Sequence, residues 1–375
     1  MNRRDFLKSI AGLGGLAFLA PLLDACSRAP SLLPEPSPPA PTGLHATPRP
    51  TETPFSPPSP NPTQALPPTA TPGPATAQVA FIKTGDRAAG VQRALDLLEI
   101  NPVRGKDLFL KPNFNSADPA PGSTHNDTLS ALVRKLQDMG ASRLTVGDRS
   151  GMGATHRVME RKEIFRMADE LGFETLVFDE LEAEDWYLVQ SPDSHWAQGF
   201  AMPRPVTSAG GIVQTCCLKT HRFGGHFTLT LKNSVGLAAK QVPGERYNYM
   251  DELHSSPHQR RMIAEINAAY QPDLLILDGV DAFVDAGPER GKKVAAQVVL
   301  AGIDRVALDA VGVALLRYFG TTPAVSQGAI FDQEQIARAA ALGLGVDRPD
   351  RIELITGDPE SAAYAREIQQ ILLQG

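Results

Sequence analysis

Residues 107–147 read DLFLKPNFNSADPAPGSTHNDTLSALVRKLQDMGASRLTVG, and this stretch decides the fold class. Asp107–Lys111 is a short, apolar-centred run with the character of a buried strand. A loop rich in Pro112, Pro119, Pro121 and Gly122 follows. Leu129, Leu132, Val133 and Leu136 then recur at helical spacing, which predicts a helix over 127–139 with Gly140 at its end. Arg143–Gly147 is the next strand. Strand, helix, strand in that order implies parallel pairing, because the helix carries the chain back across the sheet.

The alternation continues outward. A helix is expected over 158–171 and a strand over 175–178. The segment 180–255 is less regular, with strands expected near 186–190, 199–206 and 211–218. Pro257 suits the first position of a helix capped by Ser256 and running to Tyr270. Strands are expected at 274–277 and 297–301. Asp304 caps a helix reaching Phe319, with Gly320 behind it. A strand at 351–356 and a final helix close the chain. The expected class is α/β, a mostly parallel central sheet with flanking helices and an irregular mixed middle region.

The N-terminal quarter has another character. Arg3-Arg4-Asp5-Phe6-Leu7-Lys8 looks like a twin-arginine export signal. The apolar stretch 10–23 is diluted by Gly12, Gly14 and Gly15, and is short of the roughly 20 apolar residues a membrane span needs. Leu23-Asp24-Ala25-Cys26 resembles a lipobox, whose cysteine becomes the lipidated N-terminus. Residues 27–78 hold 17 of the 32 prolines, mixed with Ser, Thr and Ala, a composition that cannot build a core. The expected organisation is a signal peptide over 1–25, a lipidated Cys26 with a proline-rich tether over 26–78, and an α/β domain over 79–375. It places an exported domain at a membrane surface, with the translocase and the lipid bilayer as partners.

The 375-residue chain carries a formal net charge of −6, and residues 79–375 hold 31 basic against 38 acidic side chains. That balance argues against nonspecific nucleic-acid binding, which needs a positive footprint. Three cysteines form no disulfide framework. Cys216 and Cys217 are neighbours on an expected strand and so face opposite ways. No Cys-x-x-Cys is present, no iron–sulfur motif is seen, and buried inert thiols are the expectation.

Chemistry concentrates in a few places. In an extended 215–221, Thr215, Cys217, Lys219 and His221 share one face. Ligands of open α/β sheets sit beyond the C-terminal strand ends, so Lys219 and His221 are candidates for anion binding or proton transfer. Lys232 and Asn233 follow a segment, 226–231, readable as a strand or as a helix start. Lys232 offers a second positive group. His254 and His258 lie at the start of the next helix. Asp148, Asp278 and Asp304 stand at strand ends or helix starts, where turn and cap roles compete with ligand roles. Asp309 interrupts an apolar helix, where a charge needs a partner; a structural partner and a catalytic role both stay open. The glycine-rich 147–153 could cradle a phosphate, although it is neither a Walker loop nor a dinucleotide fingerprint.

Together, Leu110-Lys111-Pro112-Asn113, Thr124-His125, Val146-Gly147-Asp148, Leu218-Lys219-Thr220-His221, Leu231-Lys232-Asn233 with Gly236, Asp278-Gly279, Gly287-Pro288, and Ala301-Gly302-Ile303-Asp304 with Ala307-Leu308-Asp309-Ala310 resemble the family of domains of unknown function numbered 362. The resemblance covers about 80–320 and implies an α/β domain. Some members carry a ferredoxin-like module whose cysteines are missing here, and Cys217 stands where the family usually has proline.

These readings converge on an enzyme-like domain. Lys219, His221 and Lys232 would hold a small anion, with Lys111, Asn113 and His125 lining the same crevice. Asp278, Asp304 or Asp309 would supply acid–base function or bind a hard divalent cation. A solute-binding lipoprotein and a metal or redox carrier are the rivals.

Overall fold

The structure, a computed structural model, describes residues 76–375 together with the two-residue strand β1 (Gln64–Ala65). The twin-arginine motif, Cys26 and most of the proline-rich stretch lie outside these residues. From β2 (Ala77–Lys83) and α1 (Arg87–Leu97) the chain passes through β3 (Asp107–Lys111), α2 (Asn126–Asp138) and β4 (Arg143–Asp148). There follow α3 (Thr155–Arg161), α4 (Ile164–Leu171) and β5 (Glu174–Val177). The middle holds β6 (Trp186–Gln190), β7 (Phe200–Pro203), α5 (Arg204–Thr207), β8 (Gly211–His221), β9 (His226–Thr228), α6 (Thr230–Asn233), α7 (Tyr249–Ser255) and α8 (Gln259–Ile266). The last part runs β10 (Leu274–Phe283), β11 (Lys293–Gly302), α9 (Arg305–Tyr318), α10 (Pro323–Ser326), α11 (Glu334–Ala341), β12 (Ile352–Ile355) and α12 (Pro359–Gln374).

The main sheet has the order β12-β2-β11-β10-β8-β3-β4-β5, with β9 paired to β8. From β10 to β5 every neighbour is parallel, as is β12 on β2. The pairs of β11 with β10 and β2 are antiparallel. The fold is thus an α/β domain on a mostly parallel sheet. Both faces are covered, which is why its central strands are apolar along their length rather than alternating. Ala80, Leu110, Val146 and Ile276 face a core with α1 and α2, whereas Val79, Phe81, Leu275 and Leu277 face a core with α9. A third core of Trp186, Trp196, Phe200 and Met262 underlies the irregular middle, beside a small sheet of β1, β6 and β7.

Several expected boundaries move. β2 and α1 were not anticipated; Asp86 caps α1 by accepting from the Ala89 amide at 3.1 Å. The single helix expected over 158–171 is two, broken at Glu163, whose backbone is left-handed (φ 58°). Pro257 stays outside its helix, because the Ser256 hydroxyl turns the chain by accepting from the His258 amide at 3.1 Å; α8 starts at Gln259. The strand expected at 199–206 ends at Pro203, where α5 begins. The strand expected at 297–301 is the second half of β11, which forms a long hairpin with β10. The ambiguity of 226–231 resolves into both readings, since β9 gives way to α6 at Thr230.

Candidate functional site

The chain lays down β3, β4 and β5 in one direction from the middle of the sheet, then returns to add β8 and β10 on the other side of β3. The border between β3 and β8 is therefore the point where strand order reverses, and diverging connections there open a crevice beyond the strand ends. Three strands deliver their last residues to it: Lys111 from β3, Asp148 from β4, and Lys219 with His221 from β8. A cavity of about 50 Å³ lies there, lined also by Asn113, Asn115, Arg149, Thr228, Lys232 and Asn233. That is room for a few waters or one small ion.

Most of the charge around the cavity is held by identifiable partners. Lys111 pairs with Asp148 at 2.8 Å and donates to the Pro112 carbonyl at 2.7 Å. Asp148 also accepts from the amides of Phe114 at 2.6 Å and Arg149 at 2.7 Å. Gly236 makes this pair possible, because a Cβ there would fall 2.3 Å from Asp148 Oδ1. Arg149 donates to the carbonyls of Ala238 at 2.7 Å and Val235 at 2.6 Å. Lys219 donates to Asn113 Oδ1 at 2.9 Å and to the Gly122 carbonyl. Asn233 ties the ring together, accepting from Asn113 at 3.1 Å and donating to the Thr215 carbonyl at 3.0 Å.

Lys232 differs. It is 7% exposed and lines the cavity, but among the described residues its ammonium has no hydrogen-bond acceptor and no carboxylate. Burial lowers its pKa to about 7, and the positive charges of Lys219 and Arg149 add to the effect. His221 is similar: its Nδ1 is buried without a partner, and burial together with Lys232 and Lys219 holds its pKa well below the usual histidine value. Asn115 Nδ2 and Thr228 Oγ1 line the same cavity and are also buried without partners. Arg149, Lys219 and Lys232 outnumber the carboxylates of the lining once Lys111 and Asp148 cancel. Unsatisfied polar atoms and uncompensated cations meeting in one small space is an arrangement that an anion would complete.

Of the residues singled out in the sequence, Lys111, Asn113, Asp148, Lys219, His221, Lys232 and Asn233 come together here. Asp309, Asp304, Asp278 and His125 do not, and neither do His254, on α7, and His258, directly before α8. Asp309 accepts from the Thr230 amide at 2.7 Å, the Thr230 hydroxyl and the Leu231 amide, so it anchors the start of α6 from within the core. Burial raises its carboxyl to about 7 against those bonds. Asp304 caps α9 through the Ala307 amide at 2.9 Å and also accepts from Val346 at 2.8 Å. Asp278 is bound by Arg87 at 2.9 Å and Thr128 at 2.6 Å. His125 caps α2 by accepting from the Asp127 amide at 3.1 Å. None of Asp309, Asp304, Asp278 and His125 lines the cavity; each holds the structural contacts just described. The glycine-rich 147–153 supplies Asp148, Arg149 and Gly151 to the lining. Among the described residues, no three His, Cys, Asp or Glu side chains are grouped to hold a metal ion. Cys216 and Cys217 are buried free thiols.

Sequence reasoning missed Asn115, Arg149 and Thr228 as liners. Arg149 had a signal, since it stands within the glycine-rich 147–153 next to the strand-end Asp148.

No curated protein sequence matches the chain. A solved structure, the lactate racemase apoprotein from Thermoanaerobacterium thermosaccharolyticum, is similar at 16% identity with a TM-score of 0.36. The likeness covers 56% of this chain and 50% of that one, so the chain spans about half the length of the structure it matches. The family model described as domain of unknown function (DUF362) matches residues 108–314, a range that contains every residue of the cavity lining. The chain belongs to the DUF362 family.

Proposed function

We propose that the domain binds a small anion, such as a carboxylate or phosphate group, in the cavity beyond β3, β4 and β8. One observation carries this reading: Lys232, His221 Nδ1, Asn115 Nδ2 and Thr228 Oγ1 converge, buried and unpartnered, on a space with an excess of fixed cations. Leaving a buried polar atom unpaired costs about 1–3 kcal/mol. An anion in the cavity would give these atoms their partners. Lys219 and Arg149 set the positive field, while Lys232 and His221 offer the movable protons. The test is calorimetric titration of the full chain with acetate and with phosphate. Binding of either should be weakened in Lys232→Met and lost in His221→Ala, with the ligand-free His221→Ala protein unfolding at nearly the unaltered temperature and Lys232→Met no less stable than the unaltered chain. Unaltered binding in both variants would refute the site.

The reading includes a place for the domain. Arg3-Arg4 with the weak apolar stretch behind it supports export in the folded state, and Leu23-Asp24-Ala25-Cys26 supports lipid anchoring at the outer face of the membrane. Changing Arg3 and Arg4 to lysine should hold the protein in the cytoplasm. Cys26→Ser should release it from the membrane fraction, and retention of that variant would sink the anchor.

A further inference from the structure

Within the proposed anion site, the cations fall into two kinds. Lys111, Arg149 and Lys219 are each clamped by carbonyl, amide or carboxylate oxygens. They are fixed donors, able to hold a carboxylate but not to leave their partners. Among the described residues Lys232 has none of these restraints. It approaches the cavity past Gly225, where a Cβ would sit 2.4 Å from Lys232 Cε and 3.2 Å from His221 Nδ1. The missing side chain at Gly225 therefore brings the lysine stem and the unpartnered imidazole nitrogen against the same point. Among the described residues no carboxylate pairs with the amine, and the charges that act on it most are the cations Lys219 and Arg149. Lysines in such surroundings act as nucleophiles, because the free amine is present at neutral pH.

We infer that Lys232 is an imine-forming nucleophile, and that the ligand class of this site is a small 2-oxo acid. The carboxylate of the acid would rest on the fixed cations, and its neighbouring carbonyl carbon would face Lys232 Nζ. The amine lone pair forms the C–N bond while the carbonyl π pair moves to oxygen. The two amine protons then pass to that oxygen, which departs as water, leaving a C=N bond. His221 Nδ1, unpartnered and beside the lysine stem, carries a proton between nitrogen and oxygen. No oxidant or reductant is consumed. A cavity of about 50 Å³ limits the acid to a few heavy atoms unless the hairpin turn 222–225 moves.

The inference rests on the anion reading but can fail separately. The full chain is incubated with pyruvate and cyanoborohydride, which reduces an imine to a stable secondary amine, and the adduct is located by peptide mass mapping. The expected result is a single adduct on Lys232, suppressed by excess propionate, which has the carboxylate but no carbonyl. The adduct should be lost in Lys232→Arg. If that variant does not fold, the peptide map of the unaltered chain decides alone. Propionate binding without any adduct on Lys232 overturns the nucleophile and leaves the anion site standing. Adducts spread over surface lysines, or placed on Lys111 or Lys219, overturn it as well. Failure of both propionate and pyruvate to bind removes the anion site and this inference together.

Discussion

Lys111 Nζ and Asp148 Oδ1 lie 2.8 Å apart, both side chains almost wholly out of solvent, at the ends of the adjacent strands β3 and β4. The pair links the sheet to the cavity. Asp148 also receives two backbone amides, and Gly236 packs against both partners.

Breaking this pair from one side should be costly. Asp148→Asn leaves the Lys111 ammonium buried with no counter-charge, and Lys111→Met does the same to the carboxylate. Each should lose about 3–5 kcal/mol of unfolding free energy. The double variant should recover part of that loss, since two neutral groups need no pairing. Urea unfolding of the four proteins checks it; additive losses would mean the two charges do not depend on each other.

Asp309 should leave a pH signature. Its carboxyl titrates near 7 in the folded chain, well above its ordinary value, chiefly through burial. Between those values the folded state holds a proton that the unfolded state has lost. Stability from this residue therefore falls as pH rises through that window and levels off above about 7. Asp309→Asn should abolish the slope. Asp309→Ala should instead cost about 1–3 kcal/mol per stranded donor, because the Thr230 and Leu231 amides at the start of α6 lose their acceptor. Denaturant midpoints from pH 4 to 8 compare the three.

The thiols should be silent. Cys216 and Cys217 are each about 1% exposed, and burial pushes the Cys217 thiol up to about 11 and that of Cys216 well above its usual range. The thiolate is the reactive form. Neither cysteine should react with a maleimide at pH 7 in the native protein, and both should react in denaturant. Rapid native labelling of either, mapped by mass spectrometry, would contradict the buried placement.

The sequence indicated several of the cavity's residues and the fold class, but not the order of the strands. Period-two alternation put Lys219 and His221 on one face, and both reach the cavity. The strand-end rule pointed to Asp148, and the family resemblance to Lys111, without any tertiary information. Asp309 could not be placed that way: its partners Thr230 and Leu231 are about 80 positions away, and only the packing of α9 under α6 brings them close. Strand order was equally out of reach, because β2 and β11 pair across more than 200 residues. The apolar run of β2 follows directly on the proline-rich segment. Asp278 shows the opposite error. It is expected at a strand end, but β10 continues past it to Phe283, so the residue sits mid-strand and meets Arg87 and Thr128.

Lys232 gives two readouts of opposite slope. Its pKa is lowered from 10.5 to about 7 in the folded chain, first by burial and then by Lys219 and Arg149. Between those values the unfolded chain binds a proton that the folded chain does not. The stability contribution of Lys232 therefore rises with pH across the window and is lost as pH falls toward 7. Anion binding should run the other way. A bound carboxylate or phosphate favours the ammonium, so binding takes up a proton above pH 7, and affinity should fall by up to about tenfold per pH unit. Lys232→Met should flatten both curves, weakening the anion and stabilising the ligand-free fold near neutral pH. Calorimetry and urea unfolding on the same samples from pH 6 to 10 measure the two slopes. If affinity is independent of pH in the unaltered protein, the ammonium of Lys232 does not contact the anion.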